Sequence, residues 1–146
     1  MGPSHEAYDA LERELGVFWR RARAASDRLA RAVHPDLDPA AYGLLVQLRD
    51  HGPLRPSDLA DHIGVGKATI SRQLKALEHL GLIERATDPA DGRAHLLALT
   101  ADGRQRLDAV SSARRQRLHA RLSAWPEEDV RTLATLLARL NEDGNR

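Results

Sequence analysis

The sequence predicts a mainly α fold with one small β-hairpin, and three observations lead to it. Apolar residues recur at three- and four-residue intervals over most of the 146 residues, the periodicity of helices with one packed face. Between Leu82 and Leu99 the pattern changes to short runs around Asp88-Pro89-Ala90-Asp91-Gly92, which reads as two strands and a turn. Composition agrees, because two Trp, two Tyr, one Phe and ten Gly suit neither a β-sandwich nor a barrel.

The length suits one compact domain, or a binding lobe with an assembly lobe, and is short for two enzymatic domains. Against 21 acidic residues stand 22 basic ones, of which only Lys67 and Lys75 are lysines; the formal net charge of +1 excludes a polycation that binds through charge alone. With no cysteine there are no disulfides, thiolate metal sites or cysteine redox sensors. No apolar run reaches the roughly 18 residues of a membrane span. The first ten residues, with His5, Glu6 and Asp9, do not read as a signal peptide. A cytoplasmic location without membrane attachment is expected.

Ser4 is positioned to cap a first helix running to about Val33. Its Tyr8, Leu11, Leu15, Phe18, Ala22, Ala25 and Leu29 form a heptad seam, with Arg13, Arg20, Arg21, Arg23 and Arg28 off it. Such a seam needs a partner helix, within the chain or in a second copy. Asp38 and Pro39 start a second helix, with Leu37 and Tyr42 spaced as a hydrophobic staple, and His51-Gly52-Pro53 stops it. Ser57 is expected to cap a short third helix, Asp58 to Ile63, ending at Gly64; a fourth runs from Gly66 to Leu80 and closes at Gly81. Two helices joined by a tight glycine-containing turn make a helix-turn-helix. Leu82 to Arg85 and His95 to Leu99 then form the hairpin, or wing. Thr100 caps a long helix carrying Leu107, Val110, Leu118 and Leu122, and Pro126-Glu127-Glu128 starts a last one carrying Val130, Leu133, Leu136, Leu137 and Leu140.

The fourth helix carries the functional expectation. On a helical wheel Ile70, Leu74 and Leu77 fall within about 60°, while Lys67, Ala68, Ser71, Arg72 and Lys75 span a separate arc of about 140°. One arc packs, and the other suits the major groove of double-stranded DNA, where Arg and Lys reach guanine edges or phosphates and Ser donates to either. Thr69, between the arcs, is within reach of a phosphate. The same residues also fit the solvated face of an ordinary amphipathic helix. Arg93, at the hairpin tip, is placed to enter the minor groove, with Asp88 and Asp91 pairing with Arg85 or Arg93 to orient the turn. From Gly66 to Arg93 five Lys and Arg face four Asp and Glu, so placement and not net charge supports DNA reading.

Leu59-Ala60, Thr69-Ile70-Ser71-Arg72, Gly81-Leu82-Ile83-Glu84-Arg85, the Asp88 to Arg93 turn and Leu97-Ala98-Leu99-Thr100-Ala101-Asp102-Gly103, in this helix order, resemble the MarR family of bacterial transcriptional regulators over nearly the whole chain. The resemblance implies a single MarR-type domain, 1–146, with a winged helix-turn-helix lobe at 37–100 and a helical dimerisation lobe at 4–33 and 101–142. It implies a homodimer, with Tyr8, Leu11, Leu15, Phe18, Leu133, Leu136, Leu137 and Leu140 in the interface. It also implies a repressor on a pseudo-palindromic operator, released by a small-molecule effector. Lys67, Ala68, Thr69, Ser71, Arg72 and Lys75 then meet bases and phosphates, Arg93 is the wing arginine, and Arg85, Asp88 and Asp91 support the wing. Gly92 departs from the family by replacing a basic residue, and Trp125 by standing where a capping residue is usual.

Phe18, Trp19, Tyr42, Leu45 and His51 are candidate lining residues for the effector pocket and serve equally well as ordinary core. His34, His51, His62, His79, His95 and His119 lack close metal-ligand spacing, so neither metal nor cofactor is expected. Arg114, Arg115, Arg117 and Arg121 read as a solvated, intersubunit ion-pair face. No nucleophile–base pair or phosphate loop suggests an enzyme. The competing expectation is a winged-helix module that docks protein instead of DNA.

Overall fold

The computed structural model describes residues 2–63 and 66–143, the side chains of Lys67 and Asp143 apart. Six helices and one hairpin follow in the order α1 (His5–Val33), α2 (Pro39–His51), α3 (Pro56–Ile63), α4 (Lys67–His79), β1 (Ile83–Asp88), β2 (Asp91–Leu99), α5 (Ala101–Leu122) and α6 (Glu127–Asp143). None of these helices is long and apolar enough to cross a membrane. The mainly α class with a winged helix-turn-helix is as the sequence predicts. The chain divides into two compact units, Met1–Val110 and Ser111–Arg146.

In the first unit local capping sets most helix starts. Ser4 accepts from the Ala7 amide at 3.3 Å and Asp38 from the Ala40 amide at 2.9 Å, each satisfying a backbone donor that the first turn leaves open. Leu37 and Tyr42 are both buried, as a hydrophobic staple requires. The third helix corrects the sequence reading: it begins at Pro56, and Ser57 does not cap it. Proline's fixed φ suits the first helical position, and the Leu59 amide bonds the Arg55 carbonyl, which makes Arg55 the N-cap. The expected stop at Gly64 lies outside the described residues.

Leu44, Leu45 and Leu48 of α2, Leu59 of α3, and Ile70, Leu74 and Leu77 of α4 converge with Leu82, Leu97 and Leu107 in one core. Each fully buried leucine stabilises the fold by about 1.5–3 kcal/mol relative to an exposed one. Ala30 and Val33 are buried in the same core, so the last turns of α1 belong to the first unit. Arg106 of α5 donates to the Val33 carbonyl at 3.2 Å, at the end of α1.

The junction between α4 and the hairpin is specified atom by atom. Gly81 takes φ 72°, a left-handed conformation that side chains disfavour. Its amide bonds the Glu78 carbonyl at 3.0 Å and the Leu82 amide bonds the Leu77 carbonyl at 3.1 Å, closing the helix with a Schellman motif over the buried Leu77–Leu82 pair. Thr100 Oγ1 donates to the Gly81 carbonyl at 2.6 Å and accepts from the Gly103 amide at 3.0 Å, joining this end of α4 to the start of α5.

The hairpin is longer than the sequence suggests. Ile83 pairs with Leu99 and the ladder continues to Thr87 with His95, after which Asp88 pairs with Asp91 and residues 92–94 bulge from β2. The expected five-residue turn thus contracts to Pro89-Ala90. Leu54, between α2 and α3, adds a third rung: its amide bonds the Leu97 carbonyl at 3.0 Å and its carbonyl accepts from the Leu97 amide at 2.8 Å.

In the second unit, the rest of α5 and α6 carry apolar residues that remain open to solvent: Leu118, Trp125, Leu133, Leu136, Leu137 and Leu140. Thr135 donates to the Arg131 carbonyl and Arg131 pairs with Glu127 at 2.5 Å, both within α6.

Gly103 offers a direct test of the junction. A Cβ placed there would lie 2.1 Å from the Leu82 carbonyl oxygen, a backbone atom that cannot swing away. Gly103→Ala is expected to destabilise the fold by about 1–3 kcal/mol or more, read as a lower thermal midpoint. An unchanged midpoint would contradict this packing.

Candidate nucleic-acid interface

The helix-turn-helix places α4 with one face in the core and the other in solvent. Ile70, Leu74 and Leu77 are buried, whereas Ala68, Ser71, Arg72 and Lys75 are exposed and Thr69 is half-buried. The Lys67 side chain lies outside the described residues. Arg72 and Lys75 make no ion pair among the described residues, so their charges are available to an external anion. Gly66 precedes α4 without a side-chain cap, leaving the first-turn amides of α4 without that partner.

The wing presents Arg93 in the bulge of β2, exposed and without an ion pair among the described residues. Asp91 Oδ1 accepts from the Arg93 amide at 3.0 Å, holding the backbone beneath the guanidinium. Asp88 is placed differently from the sequence expectation, which paired it with Arg85 or Arg93. It pairs with Arg55: both Nε and Nη2 donate to Oδ2, at 2.9 and 2.6 Å, while Oδ1 accepts from the Ala90 amide at 2.9 Å. Arg85 is engaged elsewhere, on Glu78 at the end of α4. Its position on β1 sets it beside α4 instead of the wing tip.

Arg55 was missed because its partner lies 33 residues away and no local motif connects them. Asp88 is 7 % exposed, the only carboxylate among the described residues buried to this degree. The Ala90 N–H and the Arg55 guanidinium hold this carboxyl below its ordinary value of 3.8, outweighing the opposite effect of burial.

Two grooves flank α4. One, of about 280 Å³, lies among Ser57, Ala60, Ile70, Ser71, Leu74 and Arg85; the other, of about 160 Å³, includes Asp36, Asp38, Arg72, Gln73 and Ala76. Neither is lined by the residues expected to form an effector pocket. Leu45 is fully buried, and Tyr42 is buried with its hydroxyl unpartnered among the described residues. Phe18 and Trp19 are 61 % and 55 % exposed. His51 is exposed and packs against His62, with ring centroids 4.7 Å apart. No group of three or more potential metal ligands occurs among the described residues.

A recognition-type helix beside an arginine-tipped hairpin defines a winged helix-turn-helix protein. The chain belongs to the MarR family of transcriptional regulators, whose family model matches residues 37–95. It is 36 % identical over 134 residues to the uncharacterized HTH-type transcriptional regulator YxaD of Bacillus subtilis strain 168, covering 92 % of each chain. The crystal structure of RV1404 from Mycobacterium tuberculosis is similar over 100 % of both chains, with a TM-score of 0.82 and 25 % identity. A mutant MarR from E. coli complexed with operator DNA is similar over 87 % of this chain and 93 % of that one, with a TM-score of 0.63 and 27 % identity. The family is one of transcriptional regulators, not enzymes, and YxaD carries the same description.

The Asp88 carboxyl gives the wing a defined pH response. Its folded-state value lies below the unfolded one, so its stabilising contribution is complete above the ordinary carboxylate range and disappears as pH falls through the folded value. The stability difference between the wild-type chain and Asp88→Asn, measured by urea unfolding, should therefore stay constant from about pH 6 to 8 and shrink below about pH 4. A difference that grows on acidification would show that the charged carboxylate is not the stabilising form.

Proposed function

We propose that the chain is a homodimeric regulator that represses transcription by covering a pseudo-palindromic operator and leaves it when a small-molecule effector binds. The observation that carries this reading is the division of α4, buried through Ile70, Leu74 and Leu77, while Arg72 and Lys75, without ion pairs among the described residues, stand exposed beside a wing bearing exposed Arg93. Helix residues Ala68, Thr69, Ser71, Arg72 and Lys75, with Lys67 at the start of α4, would contact the major groove. Arg93 would enter the adjacent minor groove, where narrow A·T-rich segments concentrate negative potential. Phosphate contacts fix orientation and base contacts supply preference.

The second copy is supported by apolar surface that one chain leaves open. Tyr8, Leu11 and Phe18 on α1 and Leu133, Leu136, Leu137 and Leu140 on α6 are all exposed, and Leu15 is only half-buried. Repeated along two helices, such surface favours association. On this reading the dimerisation lobe comprises 4–33 and 101–142, which flank the DNA-binding lobe at 37–100 in sequence. A two-fold dimer presents two α4 helices to successive major grooves, roughly 34 Å apart. Phe18 and Trp19 would be covered on assembly, and that is where an effector could be enclosed with Tyr42, Leu45 and His51 nearby. The cytoplasm, where the chromosome is accessible, is the corresponding location.

Two measurements divide the labour between helix and wing. On the duplex that the chain enriches most from a random pool, Arg93→Ala should weaken binding by about 1–3 kcal/mol without changing oligomeric state. Arg72→Ala should relax preference at one symmetric pair of positions, whereas uniform weakening would reassign Arg72 to phosphate. Log affinity should fall steeply with log salt; binding all duplexes equally would favour a protein-docking module.

For the dimer, Leu136 is the informative position because it is 52 % exposed in the single chain. A polar residue there costs an isolated chain little, so Leu136→Asp should give folded monomers by sedimentation. A dimer of wild-type affinity would remove α6 from the interface.

A further inference from the structure

Arg55 lies between α2 and α3, at the N-cap of α3 and outside both the recognition helix and the wing. The residue before it is pinned by two backbone bonds to Leu97 of β2, so Arg55 leaves the sheet from a fixed point. Its guanidinium reaches Asp88 through two nitrogens that share Oδ2. Oδ1 thereby stays free to accept from the Ala90 amide and close the Pro89-Ala90 turn. One residue further, Asp91 holds the Arg93 amide. A continuous set of contacts thus runs from the start of the helix-turn-helix to the backbone of the wing arginine.

The hairpin needs such an anchor. The Leu54 bridge and buried Leu97 hold its base, but the bulge at 92–94 removes ladder pairing near the tip. Among the described residues, Arg55–Asp88 is the only side-chain bond that ties the segment 88–94 to the rest of the chain. Asp88 is buried and the Arg55 side chain is 42 % exposed, so the guanidinium both neutralises the carboxylate and covers it from solvent.

We propose that Arg55 is a positioning residue for the wing: through Asp88 it fastens the turn carrying Arg93 to the linker that opens the helix-turn-helix, so that major- and minor-groove contacts are presented as one unit. This rests on the DNA-binding reading above, in which Arg93 contacts the duplex. Arg55 does not itself touch DNA in this scheme. It removes conformational freedom that Arg93 would otherwise lose on binding.

Amide exchange in the free protein tests the anchor without DNA. Arg55→Gln should accelerate exchange at Ala90 and Arg93 while leaving α2 and α4 amides unchanged; unaltered rates at Ala90 and Arg93 would overturn the proposal. The double variant Arg55→Gln with Asp88→Asn removes both charges from the site, so it keeps the test valid if the single variant folds poorly. It should retain wild-type helicity and the same fast wing exchange.

A double-mutant cycle on the duplex that the wild-type chain enriches most from a random pool tests the consequence. Arg93→Ala should weaken binding about tenfold or more, and Arg55→Gln about three- to tenfold. In the Arg93→Ala background Arg55→Gln should cost less than about twofold, since there is no longer a wing contact to position. Arg55→Lys should recover part of the loss. If Arg93→Ala has no effect, the wing contact itself is wrong and the inference falls with it. If Arg93→Ala weakens binding while Arg55→Gln does not, or if the two losses multiply, the wing contact stands and only the role of Arg55 is overturned.

Discussion

The Leu82 carbonyl is the point on which the rest of the DNA-binding unit depends. It accepts from the Thr100 amide at 3.1 Å and lies against the Cα of Gly103, where any side chain would collide with it. One residue earlier, Gly81 ends α4 in a left-handed conformation and gives its carbonyl to the Thr100 hydroxyl. The recognition helix, both strands of the wing and the start of α5 therefore meet within a few residues. Three directions of chain are set there by hydrogen bonds and one steric limit, not by packing alone. Rotating α4 about its axis would break the Schellman closure and expose Leu77 and Leu82 together.

Placement matters because the whole segment from Gly66 to Arg93 carries a net charge of only +1. A strongly basic surface tolerates misalignment, since any phosphate serves. Here the exposed cations of α4 and the wing are few, and neighbouring arginines are already engaged: Arg85 with Glu78 and Arg55 with Asp88. The pairs divide the basic residues into two groups. Arg55 and Arg85, in ion pairs, hold the scaffold, and Arg72, Lys75 and Arg93, which make no ion pair among the described residues, face outward. A charge count over the segment treats both groups alike and so understates what the surface can do.

Much of the fold is legible in the sequence because its signals are local. Ser4 and Asp38 sit within three residues of the amides they cap, and Thr100 within three of Gly103. The opposite faces of α4 follow from spacing alone. The misreadings arise where two local rules compete or where partners are distant. Ser57 looks like a cap, but Pro56 already occupies the first helical position. Asp88 to Gly92 reads as one loose turn because Asp88, Pro89, Asp91 and Gly92 all favour turns; the side chain of Asp88, bonded to Ala90, tightens it to two residues. Arg55 shows no sign of its role until the Leu54–Leu97 bridge brings it to the hairpin. The apolar spacing of α1 shows which residues need a partner but not which surface supplies it, and within the chain Tyr8, Leu11 and Phe18 remain exposed.

The central claim is that two copies present two α4 helices and two wings to one duplex in fixed register. Hydroxyl-radical footprinting of the selected duplex, at a stoichiometry established by sedimentation, tests it most directly. Two chains per duplex should give two symmetric patches of protection centred about one helical turn apart, roughly 34 Å, with minor-groove protection beside each where Arg93 would lie. One chain per duplex, or a continuous footprint without two-fold symmetry, would contradict the account.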